Sequence, residues 1–433
     1  MKLINLDERL SEIGVQKKKL LHLLMIPAFF LIVMLLVSIF MTVVVGTVLW
    51  GINVPVAWGF AIVNFVWWIG IGHAGTLISA ILLLARQGWR NSINRLAESM
   101  TLFAVASAGL YPLLHMGRPW FFYWLLPYPN DMTLSPQYRS PLVWDAFAVS
   151  TYALVSLLFW YLGLIPDMAI AREKSKGRVK KFIYSCLSLG FTGEVREWHS
   201  YKKAVMFMAI IATPLVISVH TIVSLDFAAG INPGWHSALF PPFFVAGAIY
   251  SGFAMVILLM IFVRHQFKLK DLITSEHLEK CARMMLMSGI IMTFFYALEF
   301  FVVWYADEPA ESYVFINRMF GEKAWAFWLM LICNVGAIQV MWFKNARTSE
   351  IWLFVVSLFV LVGMWMERYV IVITTLMDSL LPSIQGHYAA TKWDWMLYIG
   401  SMGLFALGLL LVLRFLPFIP IMEVKEGEEH EAS

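Results

Sequence analysis

Charge is scarce in this chain. Asp, Glu, Lys and Arg make up 14% of its 433 residues, whereas a soluble domain carries about 25%. So little charge cannot cover a surface that faces water, which excludes a soluble enzyme or binding domain. Cysteine is scarcer still. Cys186, Cys281 and Cys333 stand far apart with no Cys-x-x-Cys spacing, which argues against a disulfide framework and a thiolate metal site. No nucleotide-binding or metal-binding motif lies outside the apolar stretches, and no nucleic-acid partner is expected. What the chain has in abundance is apolar surface: 60% of its residues are hydrophobic and 15% aromatic.

A hydrocarbon core of about 30 Å needs roughly 20 apolar residues at a rise of about 1.5 Å each. Ten stretches meet that length: 24–50, 58–85, 96–115, 141–165, 203–226, 238–263, 282–305, 322–343, 349–378 and 393–416. In lipid each segment must satisfy its own backbone polar groups, so each is expected to be a helix. The first is too long, and followed by too much membrane sequence, for a cleaved signal peptide. The fold class is an all-α polytopic membrane protein with about ten transmembrane helices.

Ten crossings leave both termini on one side, and the loops on that side hold 26 of the 32 Lys and Arg residues. The opposite loops hold Arg118, Arg139, Arg318, Lys323 and Lys392, and Arg368 lies within the ninth span. By the positive-inside rule both termini are expected to be cytoplasmic. Residues 1–23 then form a cytoplasmic segment. Residues 417–433 form an acidic tail, ending EVKEGEEHEAS, that is expected to be disordered. The 166–203 connector, with its AREKSKGRVKK run, is a basic cytoplasmic stretch near anionic headgroups.

Gly70-Ile71-Gly72-His73-Ala74-Gly75 matches the GxGxxG dinucleotide fingerprint. That fingerprint works between a strand and a helix N-terminus, and here it sits inside the second span. It reads instead as a small-residue face that lets another helix approach.

An ionisable group at membrane depth costs roughly 2.5–3.5 kcal/mol even on the lenient insertion scale, so each one is a candidate functional residue. The third span reaches the outer boundary at His115, the fourth carries Asp145 in its first turn or two, and the fifth ends near Asp226. Three titratable side chains from consecutive spans thus share the outer level, with Arg118, Arg139, Tyr111, Trp120 and Trp144 around them. Such residues are also common as plain interface markers. Their coincidence beside the RPWFFYWLLPYPN loop favours a site, one able to bond quinone oxygens and exchange protons. A deeper group comprises His73, His220, Glu299, Glu367 and Arg368. It reads equally as structural pairing, Glu367 with Arg368 above all, or as a proton path. His73 leans structural because it sits in the glycine face. A bis-histidine haem needs two histidines at one depth on facing helices. Only His115 and His220 come near that, no second pair is apparent, and no bound haem, flavin or metal is expected.

Eight blocks carry a likeness: GINVPVAWGF, NFVWWIGIGHAGTLISA, SINRLAESMTLFAV, LHMGRPW, SPLVWDAFAVSTY, ATPLVISVHTIVSLDFA, PGWHSALFPPFFVAGAIYSGFAMV and GMWMERYVIVITTL. Over residues 50 to 416 the chain resembles the NrfD/polysulfide-reductase membrane-subunit family, and within it the ActC-type quinol-binding subunit of alternative complex III. The resemblance implies two four-helix bundles, about residues 58–226 and 238–378, with the first and last spans beside them. It implies a menaquinol or ubiquinol site at the outer ends of the first bundle, built from His115, Asp145 and Asp226 with Arg118 near. It also implies a proton route through His220, Glu299 and Glu367. The implied partners are a periplasmic iron–sulfur subunit, multihaem cytochrome c subunits and a homologous sister subunit, in a bacterial inner membrane. The short region before the first span departs from the family pattern. Two other functions compete with this one. A secondary transporter is disfavoured because broken helices and midplane carboxylates are not evident. A purely structural anchor leaves the outer triad without a purpose.

Overall fold

The computed structural model describes residues 18–125, 140–175, 177–378 and 386–417 together with Pro420 and Glu423. The expectations for Arg139, for most of residues 1–23 and for the tail after Glu423 lie outside the described residues. Ten helices are long and apolar enough to cross a membrane. In chain order they are α1 (Lys18–Val45), α2 (Gly59–Leu84), α3 (Asn94–His115), α4 (Pro141–Lys174), α6 (Val195–Ala228), α7 (Phe240–Gln266), α8 (Ser275–Ala306), the span opened by α10 (Ala324–Leu331), the span opened by α12 (Glu350–Tyr369) and α13 (Lys392–Phe415). Three shorter helices lie between them: α5 (Arg178–Leu187), α9 (Pro309–Phe320) and α11 (Lys344–Thr348). The protein is an all-α polytopic membrane protein.

Local chemistry sets several helix starts. Proline opens α4 at Pro141 and α9 at Pro309, where its missing N–H is no loss. The Thr391 hydroxyl accepts from Trp393 N at 3.2 Å, and the Asp394 carboxylate accepts from Thr391 N at 2.8 Å, which closes a capping box on α13.

Helices α2, α3, α4 and α6 pack together as one bundle, and α7, α8 and the α10 and α12 spans as a second. Helices α1 and α13 pair with each other, and α13 also lies on α3. The bundles meet where α2 crosses α7. There is no space there for a side chain, since a Cβ on Gly252 would run into the Ala74 Cβ; on the other side of α2, one on Gly75 would meet the Thr101 hydroxyl of α3 at 2.5 Å. The GxGxxG stretch is thus a close-approach face on two sides, toward α3 and toward α7.

Two spans contain a π-turn, at Ile332–Gly336 and at Val370–Thr374. A π-turn releases a carbonyl from the i→i−4 ladder, and a buried carbonyl then needs another donor. Each finds an aromatic one. The Tyr250 hydroxyl donates to the Asn334 carbonyl at 3.0 Å, and the Trp235 indole donates to the Ile371 carbonyl at 2.6 Å.

Candidate functional site

The loop that joins α1 to α2 packs on the ends of α3 and α6 that carry His115 and Asp226. Asn53 shapes that loop: its Oδ1 accepts from Val56 N at 3.0 Å, and its Nδ2 donates to the His387 carbonyl at 3.1 Å. The loop then touches two helix ends at once. The Ala57 carbonyl lies 3.0 Å from His115 Nε2 at the last residue of α3. The Trp58 ring packs 5.5 Å from Phe227 near the end of α6 and 5.1 Å from Trp235. A carbonyl only accepts, so in this bond Nε2 carries the hydrogen, and a neutral His115 keeps Nδ1 as a bare acceptor. Trp50, fully buried, stands 6.1 Å from the His115 ring and donates to the Thr42 hydroxyl at 3.2 Å.

Asp145 is buried in the second turn of α4, and its carboxyl lies beside that of Asp226, near the end of α6. The Oδ1 atom of each is buried with no hydrogen-bond partner among the described residues. His115 bonds to neither aspartate among the described residues. It is held by the Ala57 carbonyl, on the other side of the loop residue that packs against Phe227. Arg118 follows α3 in the adjoining turn and is exposed. Tyr111 points away from the pair, donating to Ser401 Oγ at 2.9 Å, and Trp120 is exposed.

Deeper in the bundle the structure corrects the pairing of histidines. The partner of His220 is His73, with ring centroids 4.0 Å apart and planes at 35°. Depth was readable from hydropathy, but helix rotation was not. The His220 ring packs against α2 at Gly70, where its Nε2 would lie in ordinary contact, 3.8 Å, with a Cβ placed there. Both rings are buried, and His73 Nε2 and both nitrogens of His220 have no hydrogen-bond partner. Tyr152 closes the far side edge-on at 4.8 Å. The separation leaves no room for a porphyrin between the rings.

The remaining candidates lie in the second bundle. Glu367 and Arg368 form a buried ion pair. The Tyr296 hydroxyl donates to Glu367 and accepts from Asn334 Nδ2 at 2.8 Å, and the Arg368 guanidinium lies over Phe244 at 5.0 Å. Glu299 is paired with Arg318 at 3.1 Å. That arginine comes from α9 and also donates to the Gly234 carbonyl at 3.1 Å and Thr375 Oγ1 at 2.6 Å. Next to it, burial raises the Asp378 carboxyl above its usual range, while the bond from Asn317 and the nearby Arg318 pull it back.

One cluster escaped the sequence reading. At the end of the first bundle opposite His115, Arg95 pairs with Asp167 at 3.0 Å and Arg90 lies 3.7 Å from Glu98. Glu98 also accepts from Ser79 Oγ at 2.5 Å. The signal was present in NRLAE, which puts Arg95 and Glu98 three residues apart on one helix face. Glu423, in the tail expected to be disordered, is held by Arg90 at 2.9 Å and Asn94 at 3.0 Å. The Arg90 guanidinium and the Asn94 amide donate to its carboxylate, so this residue is held by the bundle. Among the described residues no group of three or more His, Cys, Asp or Glu is arranged to hold a metal ion.

The family model described as "Polysulphide reductase, NrfD" matches residues 50–378. Three curated proteins are also similar to the chain. A protein named as a membrane subunit of dimethyl sulfoxide reductase, from Halobacterium salinarum, is 26% identical over 50% of this chain and 46% of its own. A selenate reductase subunit of Mesobacillus selenatarsenatis is 22% identical over 81% of this chain and 83% of its own. The Hdr-like menaquinol oxidoreductase integral membrane subunit of Archaeoglobus fulgidus is 22% identical over 69% of this chain and 65% of its own. The chain thus spans less than half the length of the first relative and most of the second.

Proposed function

The chain belongs to the polysulphide reductase NrfD family, and from that premise we propose that it is the quinol-oxidising membrane subunit of a respiratory complex of the alternative complex III kind. It takes menaquinol or ubiquinol at the outer end of the first bundle and passes the electrons to a periplasmic iron–sulfur subunit. The observation that carries this reading is the juxtaposition of the Asp145 and Asp226 carboxyls at the end of the first bundle where α3 ends in His115, whose Nε2 is held by the Ala57 carbonyl. We read the two carboxyls as a dyad that shares one proton, and His115 Nδ1 as a free acceptor. One relative's name, menaquinol oxidoreductase, points to the same substrate class.

Oxidation of a quinol releases two protons with its two electrons. His115 Nδ1 accepts one hydroxyl proton, and the charged half of the dyad accepts the other. Trp50 and Trp58 hold the loop against the histidine and the dyad's helix, which keeps the two bases in place. General-base assistance is worth about 10²–10⁴-fold, which sets the size of the test. His115→Ala and Asp145→Asn are expected to assemble with the iron–sulfur subunit bound and to lose quinol oxidation by about that factor. Because the dyad works as one unit, Asp145→Asn with Asp226→Asn is expected to lose little more than either alone. Near-native turnover in intact His115→Ala and Asp145→Asn complexes moves the site elsewhere.

Support for proton movement is a polar seam at mid-depth. It runs from His73 and His220, through Arg368 and Glu367, to Tyr296 and Asn334. We read it as a route that crosses from the first bundle to the second.

A further inference from the structure

Helix α5 (Arg178–Leu187) is an anomaly in a protein that otherwise buries its short helices against its spans. None of its ten residues is buried. Val179 and Phe182 are 72% and 70% exposed, Ile183 is 48% exposed, and Leu189 just after the helix is 69% exposed. At about 100° per residue, Phe182, Cys186, Val179, Ile183 and Leu187 fall within one arc of roughly 140°. Arg178 and Lys180 border that arc on its two edges, and Lys181 lies opposite it.

The helix is not free to swing away from the spans. The Tyr161 hydroxyl of α4 donates to the Leu187 carbonyl at 2.9 Å. Arg172, also on α4, donates to the Phe191 carbonyl at 2.9 Å and to Ser188 Oγ at 3.2 Å. The C-terminal end of α5 is thereby tied to the inner end of the fourth span, and the turn after it leads to Trp198 and Tyr201, whose rings stack at 5.1 Å. An amphipathic helix held at that level has its apolar arc at the depth where acyl chains meet headgroups.

We infer that α5 is a lipid-binding surface whose apolar arc enters the membrane leaflet on the side of the termini and whose basic residues recruit anionic phospholipid. Charge complementarity selects this occupant over a protein. Three exposed cations share the two helical turns that carry the apolar residues, and an anionic leaflet is a continuous surface able to meet them all. The neutral apolar residues alone would suit any leaflet, so the cations carry the lipid preference. This inference does not depend on the redox reading.

Cys186 provides the probe, because it is the exposed cysteine on the apolar arc while Cys281 and Cys333 are buried. The full-length protein, labelled there with a polarity-sensitive fluorophore, is reconstituted into phosphatidylcholine alone or with about a third phosphatidylglycerol. The neutral quencher acrylamide then reports exposure to water. The expected result is a blue shift and a several-fold fall in quenching when phosphatidylglycerol is present, weakened by added salt. The double variant Lys180→Glu/Lys181→Glu, both on exposed positions, is expected to lose that difference between the lipids. Phe182→Ser is expected to raise quenching in both. Equal, solution-like quenching in both lipids overturns the inference, and so does a label that is protected equally in both and indifferent to the charge reversals.

Discussion

At Asp145 and Asp226 two carboxyls from neighbouring spans lie side by side. An isolated carboxylate at membrane depth is costly, and a neighbouring one makes it costlier unless a proton is shared. In the proposed site that cost is met by a shared proton, so that the acid–base unit takes up one proton without ever carrying two charges. The same logic governs Glu367, whose charge is balanced by Arg368 and whose second contact is the Tyr296 hydroxyl. If the seam through Glu367 conducts, Glu367→Gln is expected to lower the protons moved per electron more than it lowers quinol oxidation. The measurement is proton release alongside turnover in proteoliposomes. A parallel fall in both, or failure to assemble, assigns Glu367 to structural pairing alone. His73 and His220 belong to the same scale. Their place within the second and fifth spans was readable from the sequence, but their contact is a matter of how two helices are rotated.

Among the elements, the two π-turns are instructive because each pairs a local defect with a distant donor. Neither ICNVG nor VIVIT carries proline or a sequence signal of a break. Tyr250 and the Trp235 indole stabilise the released carbonyls, so the defects follow from tertiary contacts. Trp235→Phe keeps the ring packing against Trp58 and removes only the indole donor to the Ile371 carbonyl. A buried acceptor left without its donor costs about 1–3 kcal/mol. The variant is expected to unfold several degrees earlier in a detergent thermal-shift assay, and an unchanged midpoint means that water or a relaxed helix satisfies the carbonyl. The GxGxxG stretch is the opposite case. Its small side chains announced a close helix contact, and the contact exists, but only the fold revealed that it serves α3 on one side and α7 on the other.

For the molecule as a whole, the open question is sidedness. The distribution of Lys and Arg expects the α5 side to be cytoplasmic, and α5 itself, with its basic edges, suits an inner leaflet. A periplasm-active reporter fused after Ser237 is expected to be active, and one inserted after Gly190 inactive; the reverse pattern at either position removes the ten-span orientation. The sequence by itself determined the number of spans, their helical character and which span carries each titratable residue. Lipid is a uniform solvent that every segment meets alone, so length and apolarity answer those questions segment by segment. Partnership was decided only by the tertiary structure. Asp145 lies beside Asp226 while His115 bonds the Ala57 carbonyl, His73 faces His220, and Arg95 finds Asp167 across 72 positions of chain. Those pairings depend on how each helix is rotated about its axis. Rotation is set by where neighbouring helices can approach, and no single segment contains that information.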